Sequence, residues 1–159
     1  MNLVVASLEV SGATSLPVGA GESAAPSSGE LPITDCRPRV LIVDDFEDAR
    51  TLYVMFFERL GFVVDEAADG AEALAIIGAR PPDAVVTDLA MPVMDGLELT
   101  RAIRGNAETA GLPIIVITGN AMAVNVREAR EAGADEVLVK PCLPLDLAAL
   151  VHKHLGETR

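Results

Sequence analysis

From Arg39 onward, short apolar runs of strand length alternate with longer segments whose apolar residues recur every three or four positions. This alternation constrains the fold more than any other property of the chain, because it is the pattern of a doubly wound α/β sheet. The runs are Val40 to Val43, Phe62 to Ala67, Ala84 to Thr87, Ile114 to Ile117 and Val137 to Val139. Several are near-continuous Val/Ile stretches, as expected of parallel strands covered by helices on both faces. Five βα units are expected over residues 39–156, with no residues left over for another domain.

Between the runs, Phe46, Ala49, Tyr53, Phe56 and Leu60 fall on one helical face, and Gly61 stands where a C-terminal glycine stops a helix. Asp69-Gly70 precedes a second helix over Ala71 to Ala79, and Pro81-Pro82 separates that helix from the third strand. The spacing predicts further helices over Leu97 to Arg104, Ala121 to Ala132 and Leu145 to Leu155. Asp69-Gly70 and Asp95-Gly96 read as turn chemistry at helix starts and not as ligands. Met91 and Met94 read as packing residues of the loop between them and the third strand.

Residues 1–38 are small and polar without a sustained period, a composition that does not repay its ordering entropy, so a flexible tail is expected there. Residues 157–159 form a short C-terminal tail. The net charge is −12, with a pI near 4.4. The tail carries four acids against Arg37, a net of −3, which leaves −9 on the rest. Such a surface repels nucleic-acid backbone and anionic lipid and favours cations or basic protein surfaces. No apolar stretch nears the roughly 18 residues of a membrane span, and the N-terminus lacks a basic signal region. A cytoplasmic protein is expected. Cys36 and Cys142 have no metal-ligand spacing and are read as reduced thiols.

Parallel α/β sheets bind ligands at the carboxyl ends of their strands. Here the first strand ends in Asp44-Asp45, the third in Asp88, the fourth in Thr118 and the fifth in Lys140-Pro141. Three carboxylates in one cleft repel and call for a cation, and hard oxygen ligands with room for water suit Mg²⁺. With Lys140 and the metal, the formal −3 is neutralised, leaving a pocket hospitable to a phosphoryl group. A carboxylate can act as the nucleophile, with cations on the equatorial oxygens and a hydroxyl giving a further hydrogen bond. Asp88 is the best-placed nucleophile; Asp44 and Asp45 hold the metal, Lys140 is the cationic partner of the phosphate, and Thr118 supplies the hydroxyl.

Leu41-Ile42-Val43-Asp44-Asp45, Thr87-Asp88-Leu89-Ala90-Met91-Pro92-Val93-Met94-Asp95-Gly96, Ile117-Thr118-Gly119 and Val139-Lys140-Pro141 resemble the receiver domains of two-component response regulators, of the single-domain chemotaxis type. The likeness runs from about Arg39 to Leu155. It implies a flavodoxin-like (βα)5 fold with sheet order 2-1-3-4-5. It also implies that Asp88 takes a phosphoryl group from a histidine kinase or phosphotransfer protein, and that the chain catalyses only its own phosphorylation and dephosphorylation. The backbone carbonyl of Ala90 would join Asp44, Asp45 and Asp88 around the metal, and the bond before Pro141 would be cis. A protein-protein signalling role or a place as a phosphorelay intermediate follows, with dimerisation open. Ala90 and Asn120 stand at positions that tune hydrolysis rate in that family.

Two residues depart from the family pattern. Val137 stands where an aromatic ring commonly changes rotamer with phosphorylation, and Cys142 where Phe is common. A phosphorylation-independent docking module with a vestigial site is therefore the alternative reading. An aspartate-nucleophile phosphatase is disfavoured because Ala90 occupies the place of its second Asp, and Asp45-Phe46-Glu47-Asp48 replaces the glycine-rich turn of a dinucleotide-binding domain. His152 and His154 are read as partners of the last helix's dipole.

Overall fold

The structure, a computed structural model, describes residues 36–119 and 123–157. Nearly all of the tail predicted over residues 1–38, together with Asn120 and residues 158–159, lies outside the described residues.

Five strands, β1 (Arg39–Val43), β2 (Val63–Ala67), β3 (Ala84–Asp88), β4 (Ile114–Thr118) and β5 (Glu136–Val139), alternate with five helices. The helices are α1 (Glu47–Arg59), α2 (Gly70–Ala79), α3 (Gly96–Gly105), α4 (Ala123–Ala132) and α5 (Pro144–Glu157). All strand pairs are parallel, in the order β2-β1-β3-β4-β5 that the resemblance implies. The central strands β3 and β4 are buried at every residue, which is why their sequences are apolar throughout and do not alternate.

Alternate residues of each strand feed two cores, since successive side chains leave a strand on opposite faces. Leu41, Val43, Val85, Ile114 and Val116 pack with Ala73 and Ile77 of α2, Leu99 and Ile103 of α3 and Ala129 of α4. Val40, Ile42, Val86, Ile115 and Ile117 pack with Tyr53 and Phe57 of α1 and with Leu147, Ala148 and Val151 of α5.

The helix starts follow from their caps. Asp69 accepts from the backbone N–H groups of Ala71 and Glu72, and Asp95 forms a reciprocal capping box with Glu98, as the turn reading of both residues anticipates. Gly61 takes a φ of 89° after α1, a conformation that costs other residues more. The expected apolar face of α1 needs correction. Phe46 precedes the helix and is 62% exposed, and Leu60 is partly exposed. The fully buried ring is Phe57, which packs on Phe62 with ring centroids 5.3 Å apart. His152 also packs on Phe62, at 4.8 Å between centroids, so ring packing accompanies its place near the end of α5.

Candidate functional site

Parallel register sets the strand ends side by side: Val43 is level with Thr87, Asp88 with Ile117, and Thr118 with Val139. The next residue on β1 is Asp44 and the next on β5 is Lys140, so residues distant in sequence meet at one edge of the sheet.

The Lys140 ammonium occupies the centre. Its Nζ lies 3.0 Å from Asp44 Oδ2 and 2.6 Å from Asp88 Oδ1. The remaining oxygens of both carboxylates are also engaged: Asp44 Oδ1 accepts from the Phe46 N–H at 2.9 Å, and Asp88 Oδ2 from the Ala90 N–H at 2.8 Å. Asp44, Asp88 and Thr118 are buried, whereas Asp45 and Ala90 are exposed at the rim. The Lys140 N–H donates to the Thr118 carbonyl at 2.7 Å, which ties the ends of β4 and β5 together, and the Lys140-Pro141 peptide bond is cis.

Electrostatics follow from this burial. Desolvation raises the Asp88 carboxyl above its ordinary range, against the lowering effects of Lys140 and the Ala90 N–H, and the Asp44 charge adds to the rise. For Lys140, burial disfavours the ammonium, but its hydrogen bonds to Asp88 and Asp44 outweigh that and its pKa rises. The two shifts agree physically: one ammonium shared between two carboxylates is held firmly, while each carboxylate receives only part of its charge.

Behind this group, the Tyr53 hydroxyl meets Cys142 Sγ at 3.5 Å. Burial, that contact and the nearby Asp44 and Asp88 charges all push the phenol pKa upward. Arg50, in the first turn of α1, donates from Nη1 to the Asp44 carbonyl at 2.7 Å and from Nε to Glu66 Oε2 at 3.2 Å. Neither role of Tyr53 or Arg50 is legible in the sequence. The available signal for Arg50 is a basic residue in a helix's first turn, where the dipole disfavours it.

Among the described residues, no group of three or more His, Cys, Asp or Glu side chains is gathered closely enough to hold a metal ion by itself. The buried Asp44 and Asp88 carboxylates meet at one ammonium, and the exposed Asp45 follows Asp44 in the chain, so every acidic donor here is an oxygen. That set suits a hard divalent ion which keeps several of its waters, and it would not suit zinc.

The acceptor loop is held tightly. The Gly96 N–H donates to the Leu89 carbonyl at 2.9 Å, and a Cβ on Gly96 would fall on the Asp88 carbonyl oxygen. Met91 is buried and Met94 packs against the same core, while Val93 between them is exposed with a φ of 69°. Val137 is half-buried against the α2, α3 and α4 side of the sheet. No helix among the described residues is long and apolar enough to cross a membrane.

Comparison with known proteins agrees with this geometry. The family profile described as the response regulator receiver domain matches residues 40–152. The transcriptional regulatory protein PrrA of Mycobacterium tuberculosis is 40% identical over 114 residues, covering 72% of this chain and 48% of that protein. The chain thus spans about half the length of the curated relatives it matches. The signal receiver domain of a signal transduction histidine kinase from Syntrophus aciditrophicus superposes with a TM-score of 0.73 at 29% identity, over 77% of this chain and 92% of that one. The receiver domain of sensor histidine kinase PA1611 from Pseudomonas aeruginosa, solved with magnesium coordinated in its active-site cleft, gives a TM-score of 0.71 at 29% identity, over 76% and 98%. With profile, sequence and fold in agreement, the chain belongs to the response regulator receiver family.

Proposed function

We propose that this receiver accepts a phosphoryl group on Asp88 from the phosphohistidine of a histidine kinase or phosphotransfer protein. It then signals through protein-protein contacts or passes the group on as a relay intermediate. The observation that carries the reading is the Lys140 ammonium placed between the Asp44 and Asp88 carboxylates.

An Asp88 carboxylate oxygen attacks phosphorus, the P–N bond breaks, and the ring nitrogen keeps the bonding pair, leaving as neutral imidazole when its other nitrogen is protonated. Lys140 transfers hydrogen bonds from the carboxylates to the phosphoryl oxygens as negative charge gathers there. The Ala90 N–H holds Asp88 in position during attack, and Thr118 offers its hydroxyl to the product. Asp44, Asp45, Asp88 and the Ala90 carbonyl would hold Mg²⁺, a reading supported by the magnesium coordinated in the active-site cleft of the PA1611 receiver. Bound there, the ion supplies charge stabilisation for the transferring group. The only reactions catalysed are the domain's own phosphorylation and dephosphorylation.

Intact-mass spectrometry after treatment with acetyl phosphate tests this. The expected result is a gain of one phosphoryl group that requires Mg²⁺ and disappears in Asp88→Asn. Labelling that persists in Asp88→Asn moves the acceptor elsewhere. The second reading, a docking module with a vestigial site, draws on Val137, whose small branched side chain has no large rotamer swing to report phosphorylation. An absence of any mass gain favours it.

A further inference from the structure

We propose that Arg50 is a positioning residue for the cation site, acting through the backbone of the β1–α1 turn; this rests on the metal reading given above.

Every polar group of Asp44 is engaged. Its N–H donates to the Ala67 carbonyl, its two carboxylate oxygens take the Phe46 N–H and Lys140, and its carbonyl takes Arg50 Nη1. Three of those four anchors come from β2, from the turn itself and from β5. Arg50 is the one that ties the turn to α1 through a charged donor, which makes a stronger hydrogen bond to a carbonyl than a neutral donor does. Asp45 is exposed, and its carboxylate has no hydrogen bond or ion pair among the described residues. Its aim is therefore set by the backbone from which it projects, and the Asp44 carbonyl belongs to the peptide group that joins Asp44 to Asp45. Arg50 holds that peptide group.

The position is costly on other grounds. A cation in the first turn of a helix opposes the dipole, and α1 otherwise places Glu47 and Asp48 there. The ion pair with Glu66 does not explain it, because Glu66 is 58% exposed and such pairs contribute little. What distinguishes Arg50 is the bond to the turn, from a side chain only 16% exposed.

The sign of the effect separates positioning from simple charge. Removing a positive charge beside an acidic cleft strengthens cation binding by Coulomb's law alone. Loss of positioning weakens it, and outer-sphere partners of metal ligands are typically worth roughly tenfold or more in affinity.

The test is Mn²⁺ titration of the full chain by electron paramagnetic resonance, with thermal unfolding in EDTA measured alongside. Wild type, Arg50→Ala, Arg50→Lys and Glu66→Gln are compared. The expected result is that Mn²⁺ affinity falls about tenfold or more in Arg50→Ala. It should fall less in Arg50→Lys, and stay within about twofold of wild type in Glu66→Gln, where only a surface pair is lost. Unchanged or tighter Mn²⁺ binding in Arg50→Ala, whatever its melting temperature, overturns the proposal while leaving the metal reading intact. If Arg50→Ala does not fold, Arg50→Lys decides, with wild-type affinity refuting the idea. A wild-type protein that binds no Mn²⁺ defeats the metal reading itself, and the proposal with it.

Discussion

Replacing Lys140 with Met keeps most of the side chain's bulk and removes the ammonium shared by Asp44 and Asp88. The Asp44 side chain is 3% exposed and that of Asp88 9%, so the variant leaves two desolvated carboxylates facing each other. Removing one partner of a buried ion pair costs about 3–5 kcal/mol. Lys140 is itself 30% exposed, and water entering its place offsets part of that loss, so we expect about 2–3 kcal/mol. With a urea m-value of about 1.5 kcal/mol/M, the unfolding midpoint in EDTA falls by more than about 1 M. Far-UV circular dichroism is the suitable probe, since the chain has no Trp. Millimolar Mg²⁺ should then restore more stability to the variant than it adds to the wild type, because a site relieved of its ammonium binds the cation more tightly and linkage returns that affinity as stability. Asp88→Asn should act in the opposite direction. The Asp88 pKa is raised by burial, so its stabilising contribution is present below the unfolded value of 3.8 and is lost as pH rises through the folded one; at neutral pH the neutral isostere avoids that loss. The double variant should therefore lie well above Lys140→Met in stability. A Lys140→Met protein as stable as wild type in EDTA, with no larger response to Mg²⁺, refutes the picture of a cleft held together by one shared ammonium.

Two further outcomes are expected. Tyr53 ionises far more readily in the unfolded chain, so stability is fully present below about pH 10 and declines as pH rises toward the raised folded pKa; Tyr53→Phe should flatten the alkaline decline in melting temperature above about pH 10 and leave it unchanged below. Gly96→Ala sets a methyl group on the Asp88 backbone, which is not a flexible neighbour, and should cost about 1–3 kcal/mol while reducing acetyl phosphate labelling in protein of native circular dichroism.

The strands were legible because burial on both faces leaves little but Val, Ile, Leu and Ala to occupy them, and each strand's observed bounds match the expected ones at one end and differ by a single residue at the other. The strand ends that gather Asp44, Asp88, Thr118 and Lys140 follow from that placement. The α1 face was misjudged at Phe46 because helical spacing extends formally beyond a helix's first turn, whereas the residue before it has left the spiral and points to solvent. Side-chain ties to backbone groups remained hidden for a different reason. Arg104 donates to the carbonyls of Gly133, Ala110 and Leu112 and pairs with Asp135. A carbonyl carries no residue identity, so no sequence pattern marks such a partner. Arg50 and the Asp44 carbonyl are the same case at the site.

The pairing of Lys140 with Asp44 closes a separation of 96 residues. Contacts of such long range form late, since loop closure must be met before they contribute. A chain emerging from the ribosome would carry Asp44, Asp45 and Asp88 well before β5 brings Lys140 to meet them. Through that interval the acidic residues lack the ammonium that joins them, so a nascent or truncated receiver would have the carboxylates of the site without the cation that completes it. Competence to take a phosphoryl group would then serve as a mark of completed folding, and signalling would be withheld from any chain whose last strand has not docked.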